Sequence, residues 1–117
     1  MYRRSAFMFA ATFALASTSL TAGAADRAKL GGGELFAYHG CANCHGADGK
    51  SPKSKLVPKL AGKPADKLYE KANKILKGTD LTDEQMLMHS AVGYSQSCDS
   101  PPNDVELKTI TVWLASQ

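Results

Sequence analysis

The sequence lacks the features that mark several large classes of protein. It has only three cysteines in 117 residues, too few for a disulfide-stapled miniprotein, and an odd number cannot all pair within one chain. It contains neither the GxxxxGK[S/T] loop nor the GxGxxG turn of nucleotide-binding domains. The formal net charge of +3 is too small to indicate nucleic-acid binding. With 44% hydrophobic and 21% charged residues, the composition is that of one small globular domain.

The N-terminus has the three parts of a secretory signal peptide. Arg3 and Arg4 form a basic start, an apolar run covers residues 6–20, and Ala22-Gly23-Ala24 fits an A-x-A cleavage site. The apolar run is shorter than the roughly 20 residues that a spanning helix needs, and Ser and Thr interrupt its second half. Residues 1–24 are therefore predicted to be a cleaved signal peptide rather than a membrane anchor. Residues 25–117 then form a single domain in the periplasm.

One motif in the mature region points to specific chemistry: Cys41-Ala42-Asn43-Cys44-His45. The pattern CxxCH is the attachment signature of c-type haem. Two thiols at this spacing can add across the two vinyl groups of the porphyrin, and the imidazole of the next residue can then ligate the iron. The motif predicts one covalently attached haem c, held by Cys41 and Cys44, with His45 as the proximal iron ligand.

Three other interpretations of this motif fit the sequence less well. A redox dithiol needs a βαβ scaffold, which the sequence does not indicate. Half of a zinc site needs a second pair of ligands, and the only later cysteine, Cys98, has no partner at ligand spacing. A structural disulfide leaves His45 without a role. Attachment of haem is the interpretation that uses all three residues.

Helical signals surround the motif, and no segment has the alternation of a strand. Asp26 and Asp104 are the expected N-caps of the first and last helices, and Gly78 is the expected C-cap of a middle helix. A short helix is expected to begin near Thr82 and to run through the methionines. The three longer helices are predicted over residues 26–39, 66–77 and 104–116. The predicted fold class is all-α.

The mature region resembles a class I cytochrome c over nearly its whole length. In that family an N-terminal helix carries a glycine and, four residues on, an aromatic residue, a pattern that Gly32 and Phe36 match. That helix crosses the C-terminal helix around the covalently bound haem, and Ile110 and Trp113 stand at the positions of the aliphatic and aromatic contacts. The resemblance implies this helix crossing as the fold.

The resemblance also implies a role for the segment after the motif. Residues 58–62 are similar to a segment in which a proline carbonyl accepts the Nδ1 hydrogen of the proximal histidine, which implies that role for Pro58 toward His45. Residues 58–78 look most like one domain of the periplasmic dihaem cytochromes, here present once. The stretch from 89 to 103 departs from those domains because it is longer and contains Cys98 and two prolines.

The sequence offers more than one candidate for the sixth iron ligand. Met86 and Met88 are the only methionines after residue 24, and methionine opposite histidine is the usual ligation for electron transfer. In the resembled domains the second methionine of a Met-x-Met pair aligns with Met88, which is the predicted distal ligand, with Met86 as second choice. Both methionines could instead fill the core. The iron could then be ligated by His89 or Asn73, or its sixth position could be open.

His39 and Cys98 are not assigned to the haem site. His39 precedes the motif too closely to reach the other face of the haem, and it is predicted to be a surface residue. Cys98 lies in a polar stretch. It is either a free thiol that packs as a small apolar residue or one half of a disulfide to Cys98 of a second chain, which would give a linked dimer.

Charge is unevenly distributed along the mature region. Residues 50–77 hold nine lysines against two acids, a local charge of +7, whereas residues 80–108 hold six acids against one lysine, a local charge of −5. Charge runs of this kind usually form solvated faces. Four of the lysines recur at spacings of four, four and three residues and are predicted to form one stripe beside the haem edge: Lys63, Lys67, Lys71 and Lys74. The expected partner is a redox protein with an acidic docking surface.

The predicted function is that of a periplasmic monohaem cytochrome c, a one-electron carrier between redox proteins rather than an enzyme. No nucleic acid and no stable membrane insertion are expected. One alternative is a haem-based ligand-binding protein with a displaceable sixth ligand. Another is an electron-entry subunit of a periplasmic oxidoreductase.

Overall fold

The computed structural model describes residues 24–93 and 101–117, and within these ranges the chain is helical with no strand. This confirms the all-α fold class for the described residues. In the same ranges no helix is long and apolar enough to cross a membrane. Residues 1–23 of the predicted signal peptide, and Cys98, lie outside these ranges. The helices are α1 Ala24–Arg27, α2 Gly32–Tyr38, α3 Ala42–His45, α4 Ala65–Lys77, α5 Asp83–Gly93 and α6 Asp104–Ala115.

The core lies where α2 and α4 pack against α6. Its buried side chains are Leu35 and Phe36 from α2, Leu68 from α4, and Ile110 and Leu114 from α6. Ile110 and Leu114 lie one helical turn apart in α6, and they meet the adjacent pair Leu35 and Phe36 of α2 and the single Leu68 of α4. Burial of this shared apolar surface is the main source of stability for so small a domain.

Gly32 allows the closest approach between α2 and α6. A Cβ atom at this position would lie 2.2 Å from Trp113 Cβ and 2.7 Å from the carbonyl oxygen of Thr109. Both distances are too short for a side chain, so only glycine fits here. The Phe36 and Trp113 rings pack with their centroids 5.4 Å apart. The glycine and aromatic pattern seen in the sequence is therefore the contact that brings the first and last helices together.

The prediction of one helix over residues 26–39 was wrong, because the chain is interrupted before α2. Gly31 has an extended backbone (φ −75°, ψ 170°), and its N–H donates to Glu34 Oε2 at 2.8 Å. Asp26 lies inside the short helix α1 and does not cap α2. Successive glycines weaken a helix because each has a large backbone entropy to lose.

The middle helix α4 agrees closely with the prediction. It begins at Ala65, directly after Pro64, and ends at Gly78, whose backbone is left-handed (φ 72°). The Gly78 N–H donates to the carbonyls of Lys74 at 3.1 Å and Ile75 at 3.0 Å. Glycine adopts this conformation without the strain that a Cβ atom adds, so the predicted C-cap is confirmed.

The last helix is capped by Asn103 rather than by Asp104. The Asn103 side chain accepts from the Glu106 N–H at 2.9 Å, and the Glu106 carboxylate accepts from the Asn103 N–H at 3.0 Å. Asp104 occupies the first turn, pairs with Lys108 at 2.8 Å and accepts from the Tyr69 hydroxyl. The hydrogen bond from Lys108, followed by that from Tyr69, lowers the pKa of Asp104. The predicted N-cap was therefore wrong by one residue, because the reciprocal bond with Glu106 makes Asn103 the cap.

Candidate haem-binding site

The two motif cysteines lie on a single helical turn. Cys41 directly precedes α3, and its carbonyl accepts from the N–H groups of Cys44 at 3.3 Å and His45 at 3.0 Å. Both thiols are free; Cys41 is partly buried and Cys44 is exposed. Burial is the main cause that raises the pKa of the Cys41 thiol, in the absence of the attached group, to about 11. Two thiols on one turn match the spacing that covalent attachment of haem c requires.

His45 is held in the orientation and the protonation state of a metal ligand. The side chain is buried, with 5% of the residue exposed, and its Nδ1 lies 2.9 Å from the Pro58 carbonyl oxygen. Because a carbonyl can only accept, Nδ1 carries the hydrogen, and Nε2 keeps its lone pair for iron. Burial lowers the pKa of His45, against the effect of the Pro58 bond and together with the charge of Lys63. The neutral imidazole is the form that ligates a metal.

The His45 ring lies beside the aromatic part of the core. The Phe36 ring lies 6.5 Å from the His45 ring, centroid to centroid, and 5.4 Å from the Trp113 ring. Phe36 is 1% exposed. The packing of α2 on α6 therefore extends to the imidazole, and the sequence-predicted residues Gly32, Phe36, Pro58 and His45 form one contiguous unit.

The donor set of this site, two free thiols on one turn followed by a buried, oriented imidazole, fits haem c. The family model for Cytochrome c matches residues 31–115. The chain belongs to the cytochrome c family. Comparisons with curated proteins and with solved structures gave no match.

As a cytochrome c, the protein binds one covalently attached haem c, and CxxCH at residues 41–45 is the attachment sequence. Members of this family are generally electron carriers that exchange electrons with redox proteins. The family match does not test the likeness of residues 58–78 to one domain of a dihaem cytochrome, and this likeness stays a prediction. Nor does it identify the distal ligand.

The two candidate distal methionines of this cytochrome c both lie in α5, which packs on α4. Met88 is half-buried, whereas 49% of Met86 is exposed. His89 directs Nδ1 to the Ile75 carbonyl at 2.7 Å, so this ring atom is bound to α4 and carries a hydrogen. Asn73 is half-buried on α4. The choice between Met88 and Met86 stays a prediction.

The prediction that His39 lies on the surface was wrong. Only 2% of His39 is exposed, and its Nε2 donates to Glu106 Oε2 at 3.1 Å. The other carboxylate oxygen of Glu106 forms an ion pair with Arg27 Nε at 3.2 Å. Glu106 is itself buried, with 4% exposed. This buried Arg27–Glu106–His39 cluster ties the chain before the haem motif to the start of α6.

The lysine-rich segment, residues 50–77, begins shortly after the haem motif in the chain. All nine of its lysines are exposed, and among the described residues only Lys50 and Lys67 form ion pairs, with Asp48 at 4.0 Å and Glu70 at 3.7 Å. The Lys53 N–H donates to the Cys44 carbonyl at 2.8 Å. The charge of Lys63 also contributes to the lowered pKa of His45. Positive charge is therefore concentrated beside the attachment turn.

The acidic segment, residues 80–108, carries less unpaired surface charge than its sequence suggests. Glu106 is buried and paired, so it adds no charge to the surface. Asp104 is exposed but paired with Lys108. The exposed acids of this segment without such a pairing, among the described residues, are Asp80, Asp83 and Glu84.

Proposed function

We propose that this cytochrome c is a monohaem electron carrier of the periplasm, exported by a signal peptide at residues 1–24 that is then removed. The observation that carries the proposal is the hydrogen bond from His45 Nδ1 to the Pro58 carbonyl, because it orients the imidazole and leaves Nε2 for iron. The basic start, apolar run and A-x-A site at the N-terminus support export.

Each residue of the site has a distinct task in this proposal. Bound haem c supplies an iron that gains and loses one electron. Cys41 and Cys44 hold the group covalently, His45 ligates it through Nε2, and the Pro58 carbonyl keeps the imidazole ring from turning. Met88 is the distal ligand, and its thioether favours ferrous iron and so raises the reduction potential. The buried Phe36 and its neighbours exclude water behind the imidazole.

We further propose that the lysine-rich segment is the docking surface for an acidic redox partner. Its lysines are exposed, and along the chain Lys55 precedes and Lys59 directly follows Pro58, the residue that orients the proximal ligand. A concentrated positive surface steers encounters and orients them, and this effect decreases with salt because the screening length is about 8 Å at 0.15 M ionic strength.

The first experiment tests the cofactor and the export. Mass spectrometry of the protein from its periplasm is expected to give a chain that begins near Ala25 and carries one haem, which acid–acetone does not extract. A folded, mature chain without the haem mass would contradict the proposal. Addition of carbon monoxide to the reduced protein is expected to leave its optical spectrum unchanged. Rapid formation of a carbon monoxide adduct would favour the ligand-binding function instead.

The second experiment tests the distal ligand with a matched pair of variants. Met88→Ala is expected to abolish the weak far-red band of ferric haem with a methionine sulfur ligand, and to lower the reduction potential. Met86→Ala removes the same side chain two residues away and is expected to preserve both. If Met86→Ala loses the band and Met88→Ala keeps it, the ligand is Met86.

The third experiment tests the docking surface without a known partner. Voltammetry on an electrode coated with carboxylate groups is expected to show fast electron transfer at low salt that slows as ionic strength rises. The double variant Lys67→Glu with Lys71→Glu should slow it at low salt. The control, Lys29→Glu with Lys108→Glu, changes the net charge equally outside the segment. Equal rates for the two double variants would refute a localised docking surface.

A further inference from the structure

The helix that carries both candidate methionines is joined to α4 by one side chain. His89 lies in α5, next to Met88, and its Nδ1 donates to the Ile75 carbonyl at 2.7 Å, in the last turn of α4. Among the described residues, no other side chain of α5 hydrogen-bonds to another helix. The cap formed by Thr82 and Gln85 at the start of α5 joins neighbouring residues only.

The end of α4 is shaped to receive the His89 ring. A Cβ atom at Gly78 would lie 3.0 Å from His89 Cε1 and 3.2 Å from His89 Nε2, so a side chain at position 78 would press on the ring. Gly78 and His89 both donate to the Ile75 carbonyl, at 3.0 and 2.7 Å. The His89 bond therefore joins α5 to a carbonyl that is already part of the C-terminal cap of α4.

His89 supplies the one side-chain hydrogen bond, within the described ranges, between α5 and another helix. The helix contributes no residue to the buried core formed by α2, α4 and α6. The contact between His89 and the end of α4 therefore helps to fix where α5 lies on α4.

We propose that His89 is a positioning residue for the distal haem ligand. By holding α5 on the C-terminus of α4, it keeps the methionine of that helix at the iron and limits the fraction of molecules in which the sixth position is open. The inference rests on the proposed function, since it assumes that a methionine of α5 ligates the iron. It holds for Met88 and Met86 alike, because both lie in the same helix.

The test measures how readily an added ligand displaces the methionine. Imidazole binds ferric haem only where the methionine has left, so its affinity reports the open fraction. His89→Leu removes the donor but keeps an apolar side chain of similar size. Loss of one such hydrogen bond is expected to raise the imidazole affinity of the ferric holoprotein about fivefold. His89→Asn retains an N–H near the position of Nδ1 and should stay within about twofold of the unaltered protein.

The outcomes separate a positioning role from a merely structural one. If His89→Leu lowers the midpoint of denaturation but leaves the imidazole affinity unchanged, the inference is overturned. It is also overturned if His89→Asn binds imidazole as tightly as His89→Leu does, because the donor is then not the cause. Should His89→Leu fail to accumulate, His89→Ala replaces it as the variant without a donor, and equal imidazole affinities of His89→Ala and His89→Asn overturn the inference.

The same measurements distinguish this inference from the proposed ligation. Absence of the far-red methionine band from the unaltered ferric protein would overturn methionine ligation, and the role of His89 with it. A normal band together with an unchanged imidazole affinity in His89→Leu would overturn the role of His89 alone.

Discussion

Glu106 provides the strongest test of how the buried polar cluster stabilises the fold, and Glu34 provides its matched control. Each glutamate is the third residue of its helix, and its carboxylate accepts from the N–H of the residue that precedes the helix. The distance is 3.0 Å from Asn103 to Glu106 and 2.8 Å from Gly31 to Glu34. They differ in surroundings. Glu34 is exposed, whereas Glu106 is 4% exposed and also contacts Arg27 and His39.

The two alanine variants are therefore expected to differ in stability. Glu34→Ala loses one exposed capping bond, worth about 1 kcal/mol or less. Glu106→Ala loses the equivalent bond and also removes the buried carboxylate that Arg27 and His39 share. Removal of one partner from a buried ion pair costs about 3–5 kcal/mol. For a domain of this size, each kcal/mol lowers the melting temperature by roughly 4–8 °C.

Guanidinium unfolding of the haem-bound protein, followed by far-UV circular dichroism, measures both variants on one scale. A double-mutant cycle then isolates the ion pair, because Arg27→Met combined with Glu106→Gln removes both charges. Apolar replacement of a whole buried ion pair is often neutral, so this combination should recover most of the loss seen in Glu106→Gln alone. The reasoning is refuted if Glu106→Ala costs no more than Glu34→Ala, or if the two single changes are additive.

Three further predictions concern packing and the remaining cysteine. Gly32→Ala should destabilise the fold by about 3 kcal/mol, because its Cβ would overlap Trp113 and Thr109; Gly31→Ala, whose Cβ would lie 3.7 Å from the nearest atom, should change stability by less than about 1 kcal/mol. Similar losses from both variants in guanidinium unfolding would contradict the close-approach argument. Phe36→Ala should cost about 3–5 kcal/mol by the same assay, and a cost below that of an ordinary surface change would contradict the core position of Phe36. Cys98→Ser should leave the haem spectrum unchanged and should remove any dimer seen on non-reducing gels, whereas an altered spectrum would assign Cys98 to the haem pocket.

Features that depend on neighbouring residues were readable from the sequence. The CxxCH spacing in residues 41–45 identifies the cofactor because attachment depends on one turn of chain rather than on distant contacts. The bounds of α4 follow from its apolar periodicity and from Gly78, whose left-handed backbone ends the helix locally. The all-α class follows from several such segments and the absence of strand signals.

The resemblance to class I cytochromes c also predicted contacts between residues far apart in the chain. It implied the match of Gly32 and Phe36 with α6, which the structure explains through the space beside Trp113. It also implied a carbonyl partner for His45, which the structure supplies from Pro58 at 2.9 Å. Neither pairing follows from composition or periodicity, because the partners are brought together only by folding.

The tertiary structure alone decided the positions that depend on a distant partner with no sequence signal. His39 is buried because Glu106, 67 residues later, accepts its hydrogen bond, so a polar residue beside a glycine could not be recognised as part of the interior. The choice of Asn103 over Asp104 as N-cap is by contrast local, because Asn103 and Glu106 lie three residues apart and form a capping box. At His39 the local sequence permitted a surface or a buried position, and the contact with Glu106 of α6 selected the buried one.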